Sequence, residues 1–402
     1  MTPNPAAPVL IFGCDTNAFL GTVRSLGRAG VRIHAAGCDA AIPAGQSRYL
    51  EAHHEIPSYV GDGSVWAARI AELLRQHDYA LLIPTSDSAL AQLDAHRAQL
   101  GEQRLAIPSH HALALLANKD ATRRAAQECG VPVTGGRPVI AGDDAATLAG
   151  ELGLPLIIKT VRSYAPGDST QKATVGLFED AAKLQQRLDQ GGDLLAESYV
   201  PGFCRGVSVV AKDGAALQAF QHRRLRQEHR TGPSSWRISE RLDPQLLDSV
   251  GKLIAKTDYT GVAMFEFRCT HDGRETYLLE VNPRFWGSLH LALDAGADYP
   301  ATLHAMLCGG PTPAKRTDYP AGLEKFSVWG EFDALSGTWH SARGISERAE
   351  AFSRLTGYVA KLARKRGFDS WAEDDPAPFY TERRQVLRRL FDHGTGRSAG
   401  RT

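Results

Sequence analysis

Val262-Ala263-Met264-Phe265-Glu266-Phe267 and Thr276-Tyr277-Leu278-Leu279-Glu280-Val281-Asn282 decide how this sequence is read. Both runs are apolar and β-prone, and a polar stretch containing Asp272-Gly273 joins them, the pattern of a hairpin. Each run also carries a carboxylate near its end. Burying one unpaired carboxylate is costly, and burying two together costs more, so a cation is the natural remedy. Glu280 and Asn282 are two residues apart and project from one strand face. A three-residue turn, Asp272 to Arg274, sets Glu266 opposite Glu280 on that face, whereas a two-residue turn sends it to the other. Three oxygen ligands without histidine or cysteine suit a hard ion such as magnesium, which keeps waters and bridges to phosphates. The competing reading leaves both carboxylates in solvent or pairs them with Arg268 and Arg284.

The residues that follow favour the ion. In Asn282-Pro283-Arg284-Phe285-Trp286-Gly287-Ser288, Pro283 has a fixed φ and pushes Asn282 into an extended conformation. Arg284 is then held near the metal face, where a planar guanidinium grips phosphoryl or tetrahedral oxygens.

Around this hairpin the chain has an ordinary globular composition. Its 402 residues are 43% hydrophobic and 23% charged, long enough for two or three domains. A net charge of +1 leaves no electrostatic footprint for nucleic acid or a membrane surface. The six cysteines form no Cys-x-x-Cys pair and are expected to be free thiols in a reducing cytoplasm. The apolar run Val9 to Phe12 is too short for a signal peptide or a membrane span.

The fold class is α/β. Residues 1–110 alternate strand-like and helix-like segments: strands at Val9–Phe12, Val31–Ala35, Leu81–Ile83 and Leu105–Ile107, and helices at Asn17–Ala29, 64–77 and 87–99. This predicts a Rossmann-like parallel sheet covered by helices. Gly13 is not followed by the Gly-x-Gly-x-x-Gly spacing, so a dinucleotide is not expected there. Pro84-Thr85-Ser86-Asp87 follows a strand at its carboxyl end, either as a substrate contact or as a helix cap. A second unit, 111–310, divides into a β-rich lobe at about 131–197 and a sheet-plus-helix core at 198–310. Its expected core strands are 205–211, 217–223, 262–267 and 276–282. Residues 311–402 form a tail with helices near 345–366 and 380–392, and its last ten residues are expected to be disordered.

Glu266, followed fourteen residues later by Glu280-Val281-Asn282-Pro283-Arg284-Phe285-Trp286-Gly287-Ser288, resembles the metal motif of the ATP-grasp superfamily. It is most similar to carboxylate–amine ligases related to the carbamoyl-phosphate synthase large subunit. The resemblance covers about residues 9–310. It extends more loosely into the tail, through Phe368-Asp369 and Asp374-Asp375-Pro376. It implies a two-lobed α+β ATP-grasp fold after the Rossmann-like domain, with a helical C-terminal tail.

It also implies roles. Lys119, in Asn118-Lys119-Asp120, would contact ATP phosphate, and Lys159 would hold the α- and β-phosphates. Glu197-Ser198-Tyr199-Val200 resembles the hinge, where Glu197 and the Val200 backbone would read the adenine edge beside Tyr199. The stretch 162–170 resembles a lid loop. Cys204 stands where many relatives carry an acidic ribose ligand. Gln221 to Arg226 resembles the segment beside the γ-phosphate. Alternation would put His222, Arg224 and Arg226 on one face, with Arg224 or Arg226 stabilising an acyl phosphate. Glu266, Glu280 and Asn282 would bind Mg2+, and Arg284 would steady the oxyanion. The implied activity is ADP-forming ligation of a small-molecule carboxylate to an amine, with a homodimer through the first domain as the family expectation. Two alternatives stay open: phosphorylation of bicarbonate or carbamate, or thiol ligation; and a nucleotide-binding sensor or scaffold without catalysis.

Overall fold

The computed structural model describes residues 4–14, 16–59, 61–162, 175–227, 234–311, 316–341 and 344–394. The expected lid loop lies outside them beyond Arg162, as do most of the last ten residues.

The first sheet is parallel, in the order β3-β2-β1-β4, with β1 at Val9–Phe12, β2 at Ile33–Ala36, β3 at Leu50–His54 and β4 at Leu81–Pro84. Every residue of β1, β2 and β4 is buried, as expected for strands covered on both faces. Helix Asn17–Arg28 begins where the Thr16 side chain accepts from the Phe19 N–H, and Gly30 follows its end at φ +79°. Two expectations need correction. Leu105–Ile107 is not a strand; it contributes one bridge, Leu82 to Leu105, and Pro108, which has no N–H, follows it. The helix expected over 87–99 breaks at His96 into Asp87–Ala95 and Arg97–Leu100.

The small lobe is an antiparallel sheet, β5-β8-β6-β7, made of β5 (Gly136–Pro138), β6 (Leu156–Thr160), β7 (Val175–Phe178) and β8 (Leu194–Ser198). Helices Ala145–Leu152 and Ala181–Asp189 cover it through Leu148 and Leu184, which pack with Leu156, Ile158 and Leu194.

The large sheet is antiparallel, in the order β13-β12-β9-β10-β11-β14. Its strands are β9 (Phe203–Lys212), β10 (Ala215–Gln227), β11 (Ser234–Glu240), β12 (Gly261–Cys269), β13 (Thr276–Asn282) and β14 (Glu324–Phe326). One face packs on helix Pro244–Lys256 through Leu246, Val250 and Leu253. The other joins the first domain: Val210, Phe220 and Met264 share a core with Phe19 and Val23 of helix Asn17–Arg28, and with Trp286, Leu289 and Tyr299.

The tail contributes a strand, β14, to this sheet. Helices Val328–Ser341, Ile345–Arg364 and Ala377–Gly394 then bury a separate core around Phe332, Phe368, Phe379 and Val386. A clasp fastens the tail to the first domain. The buried Arg24 donates Nε to Asp375 Oδ2 at 2.9 Å and Nη2 to the carbonyls of Ser370 and Asp375 at 2.8 and 2.6 Å. Asp375 also accepts from Ser47 Oγ at 2.7 Å and from the Arg48 N–H at 2.9 Å. Removing one partner of such a buried pair costs about 3–5 kcal/mol, because the other charge is left uncompensated.

Candidate active site

β12 and β13 place Glu266 directly opposite Glu280, with Met264 opposite Asn282. The facing of the two carboxylates is as expected, but its cause is not the three-residue turn. Thr270 N–H bonds to Glu275 O, and beyond it the pairs Cys269–Thr276, Arg268–Tyr277 and Phe267–Leu278 run in register with an even-length connection. That register alone would set Glu266 against Leu279. A β-bulge between Phe267 and Glu266 absorbs Leu279 and advances Glu280 by one, which is how bulges re-aim side chains beside functional sites. The displaced Leu279 carbonyl accepts from Lys159 Nζ at 2.9 Å.

The donor set fits a hard divalent ion. Asn282 Nδ2 stands 3.5 Å from both Glu266 Oε1 and Glu280 Oε1, so three oxygen-bearing side chains converge. Burial, with the Glu280 charge opposite, pushes the Glu266 carboxyl above the usual range against the pull of Arg224. Burial acts on Glu280 too, but Lys119, Lys159 and Arg224 outweigh it and hold Glu280 below that range. The pair therefore carries negative charge that the protein only partly offsets.

Cations ring the pair from four elements. Lys119 is buried in the first turn of helix Lys119–Glu128, which Asn118 caps by accepting from the Ala121 N–H; its Nζ is 3.7 Å from Glu280 Oε2. Lys159, on β6, pairs with Glu197 on β8 at 2.8 Å. Arg224, on β10, pairs with Glu266. Arg284 donates Nε and Nη2 to the two oxygens of Asp87 at 2.8 and 2.7 Å, and Nη2 to Asn282 Oδ1 at 3.1 Å. The competing expectation, pairing of the carboxylates with Arg268 and Arg284, is not what forms. Ser86 caps the following helix, as its Oγ accepts from the Ala89 N–H, and this leaves Asp87 to clamp Arg284.

One expectation about neighbouring residues changes. His222, Arg224 and Arg226 do not share a face, because the register shifts between Arg224 and Arg226. Arg226 instead pairs with Glu331 at 2.6 Å and lies over Trp236, away from the carboxylates. In the hinge segment, Glu197 is buried and pairs with Lys159 and Arg123. The Val200 carbonyl accepts from Arg268 Nε at 2.7 Å, and Arg268 Nη2 donates to the Tyr199 hydroxyl at 3.0 Å. Cys204 lies under this group, 3.4 Å from Arg268 Nη1.

Two cavities meet at the hairpin. The smaller, about 120 Å³, is lined by Ile157, Lys159, Glu197, Tyr199, Val200 and Cys204. The larger, about 900 Å³, runs from Asn282 and Arg284 past Asp87 and His222 to Ser327, Asp369 and Glu382 of the tail. Arg224, Glu266 and Glu280 line both. Residues from the first domain, the core and the tail thus enclose one space, and the facing carboxylates form its boundary with the small-lobe cleft.

The arrangement of a small antiparallel lobe beside a larger antiparallel core has known counterparts. The chain carries the ATP-grasp fold. Residues 190–326 match a family described as ATP-grasp in the biosynthetic pathway with Ter operon. The ADP complex of an N5-carboxyaminoimidazole ribonucleotide synthetase aligns over 89% of this chain and 97% of its own, at 17% identity and a TM-score of 0.64. An L-amino acid ligase from Bacillus licheniformis aligns over 76% of this chain and 75% of its own, at 17% identity and a TM-score of 0.60. Rhizobium etli pyruvate carboxylase aligns over 80% of this chain at 16% identity and a TM-score of 0.62, and there the ATP-grasp chain spans only 32% of the other protein. No curated protein matches the sequence. No helix among the described residues is long and apolar enough to cross a membrane.

Proposed function

We propose that this protein is an ATP-dependent, ADP-forming ligase that activates a substrate carboxylate as an acyl phosphate and joins it to an amine. The observation that carries the proposal is the shared wall: Glu266, Glu280 and Arg224 face both the small-lobe cleft and the large cavity. A nucleotide in the cleft would point its terminal phosphate through that wall at whatever fills the cavity. The L-amino acid ligase of the same fold supports the reaction class.

In this reading Tyr199, Val200 and Ile157 border the base, with Glu197 beside them. Lys159 and Lys119 meet the phosphates, and each already faces a carboxylate that fixes its direction. Glu266, Glu280 and Asn282 would hold Mg2+, which when bound neutralises phosphate charge. The substrate carboxylate attacks the γ-phosphorus in line, and the protein's share of the work is positioning and charge compensation. Arg284, clamped by Asp87 at the cavity side, offers its guanidinium to the tetrahedral oxyanion formed when the amine attacks the acyl phosphate. Arg224 stands opposite, on the wall itself. Arg226, tied to Glu331, has no part in it.

Screening amino acids in pairs for ADP release, with mass spectrometry of the products, tests the reaction class. Glu280→Ala should lower ADP release at least a hundredfold, about 3 kcal/mol of barrier, while the circular-dichroism spectrum is retained. Unchanged ADP release in that variant would remove the metal assignment.

A further inference from the structure

The large cavity has a second charged end, far along the chain from the hairpin. Arg237, on β11, donates Nη2 to Asp369 Oδ2 at 2.7 Å and Nη1 to the Gly287 carbonyl at 3.1 Å, three residues past Arg284. Asp369 is 4% exposed and lines the cavity, yet its other oxygen, Oδ1, is buried with no hydrogen-bond partner among the described residues. An unpartnered buried carboxylate oxygen is rare, because it keeps its full desolvation cost. Glu382, on helix Ala377–Gly394, lines the same end. It is half-buried and forms no ion pair among the described residues.

The charges lining the cavity do not balance. Five carboxylates, Asp87, Glu266, Glu280, Asp369 and Glu382, meet three guanidinium groups, Arg224, Arg237 and Arg284. Each arginine is taken by one acid: Arg284 by Asp87, Arg224 by Glu266 and Arg237 by Asp369. Burial, together with Arg224 and Arg237, pushes His222 down to about 3, so it adds no positive charge. Arg24, whose charge also acts on Glu382, is committed to Asp375. Glu280, at the hairpin, faces Lys119 at 3.7 Å, so Glu382 is the lining acid that forms no ion pair among the described residues. Burial, with Asp369 close by, pushes Glu382 up to about 7, and burial pushes Asp369 above its usual range against the pull of Arg237 and Lys325. The Glu382 carboxyl and the second oxygen of Asp369 are thus the acceptors at this end that a further cation would satisfy.

We propose that Asp369 and Glu382 form a subsite for a primary ammonium group of the substrate that fills this cavity, so that the tail selects the amine-bearing partner. The proposal rests on the ligase reading and extends it to the class of molecule accepted. An ammonium brings one charge and three donors, which suits one open carboxylate and one half-occupied carboxylate. A divalent ion would need several more oxygens and would sit against the Arg237 charge. The first domain steadies the subsite from behind, since Arg24 donates to the backbone carbonyls of Asp369 itself, Ser370 and Asp375.

Calorimetric titration with n-butylammonium, and with 1-butanol as its neutral analogue of equal length, tests this on the full chain. MgATP binding is measured in the same series. Butylammonium should bind the wild type and butanol should not. Glu382→Gln should weaken butylammonium about tenfold or more, the loss of one charge-assisted hydrogen bond. Equal binding of amine and alcohol, no amine binding by the wild type, or undiminished amine binding by Glu382→Gln each overturns the subsite. The wild-type comparison needs no variant to fold. MgATP binding without amine preference overturns the subsite alone, whereas amine binding without MgATP binding overturns the ligase reading.

Discussion

Replacing Asp87 by asparagine isolates what the first domain contributes to chemistry carried by another domain. Asp87 accepts two hydrogen bonds from Arg284 at 2.7 and 2.8 Å, while Arg284 also donates to the Phe285 carbonyl at 2.9 Å. Burial would raise the Asp87 carboxyl, but Arg284 outweighs it and holds it below the usual range. Two unit charges about 4 Å apart attract by roughly 4 kcal/mol at an effective dielectric of about 20. The side chains retain 17% and 30% exposure, so solvent screening lowers the expected loss to about 2 kcal/mol. Asparagine keeps the shape and one acceptor, and Arg284 keeps its charge. The freed guanidinium then turns toward Glu280 and Glu266, both within its electrostatic reach, and competes with a cation there. The expected outcome is a melting temperature several degrees lower, a higher Mg2+ requirement for nucleotide binding, and ADP release reduced about 10- to 100-fold. Thermal melts and fluorescence titration of ATP at graded Mg2+ would measure this. A variant equal to the wild type in stability and in Mg2+ dependence would refute the claim that Asp87 positions Arg284.

Three further outcomes follow from the same contacts. Lys159→Ala should weaken nucleotide binding more than tenfold and cost about 2 kcal/mol of stability, because Glu197 is left buried with Arg123 alone; equilibrium dialysis with ATP and a denaturant melt check the two parts. Arg24→Met should cost about 3–5 kcal/mol, as Asp375 loses its buried counter-charge, and a wild-type denaturation midpoint would contradict the clasp. Glu382→Gln should be more stable than the wild type at pH 8, with the difference vanishing below about pH 4.5. The folded Glu382 carboxyl, near 7, lies above its unfolded value, so its favourable term is full below that unfolded value and is lost as the pH rises through 7. The gap at pH 8 is at most about 3 kcal/mol, and paired melts across this range give its sign.

The hairpin carboxylates and Lys159 stand out because each ends an apolar run with a charge, and such breaks need a reason; Lys119 is reached only through the resemblance of Asn118-Lys119-Asp120, and Arg284 through the rigid Asn282-Pro283 before it. Other parts were hidden by the same logic. β11 has its polar side buried: Ser235, Arg237 and Ser239 point inward while Trp236 and Ile238 are less covered. A search for alternating apolar residues passes over a strand whose inner face lines a polar cavity. β3, Leu-Glu-Ala-His-His, is missed for lack of apolar residues. The two bulges could not be read from spacing, since a single absorbed residue changes the facing of every side chain beyond it. At Leu279 that change aligned Glu280 with Glu266, and after Arg224 it carried Arg226 away. Asp369 and Glu382 belong to the cavity only because the tail folds back, which local sequence does not encode.

The clasp between Arg24 and Asp375 spans 351 positions of sequence, and this orders events during folding. Helix Asn17–Arg28 emerges with a guanidinium whose buried partners are made 345 to 351 positions later. The first domain cannot complete its outer surface until the tail arrives, and contacts of such separation close late. Any shortened chain that ends before Asp375 therefore exposes the fault at its opposite end, in a helix that the truncation never touched.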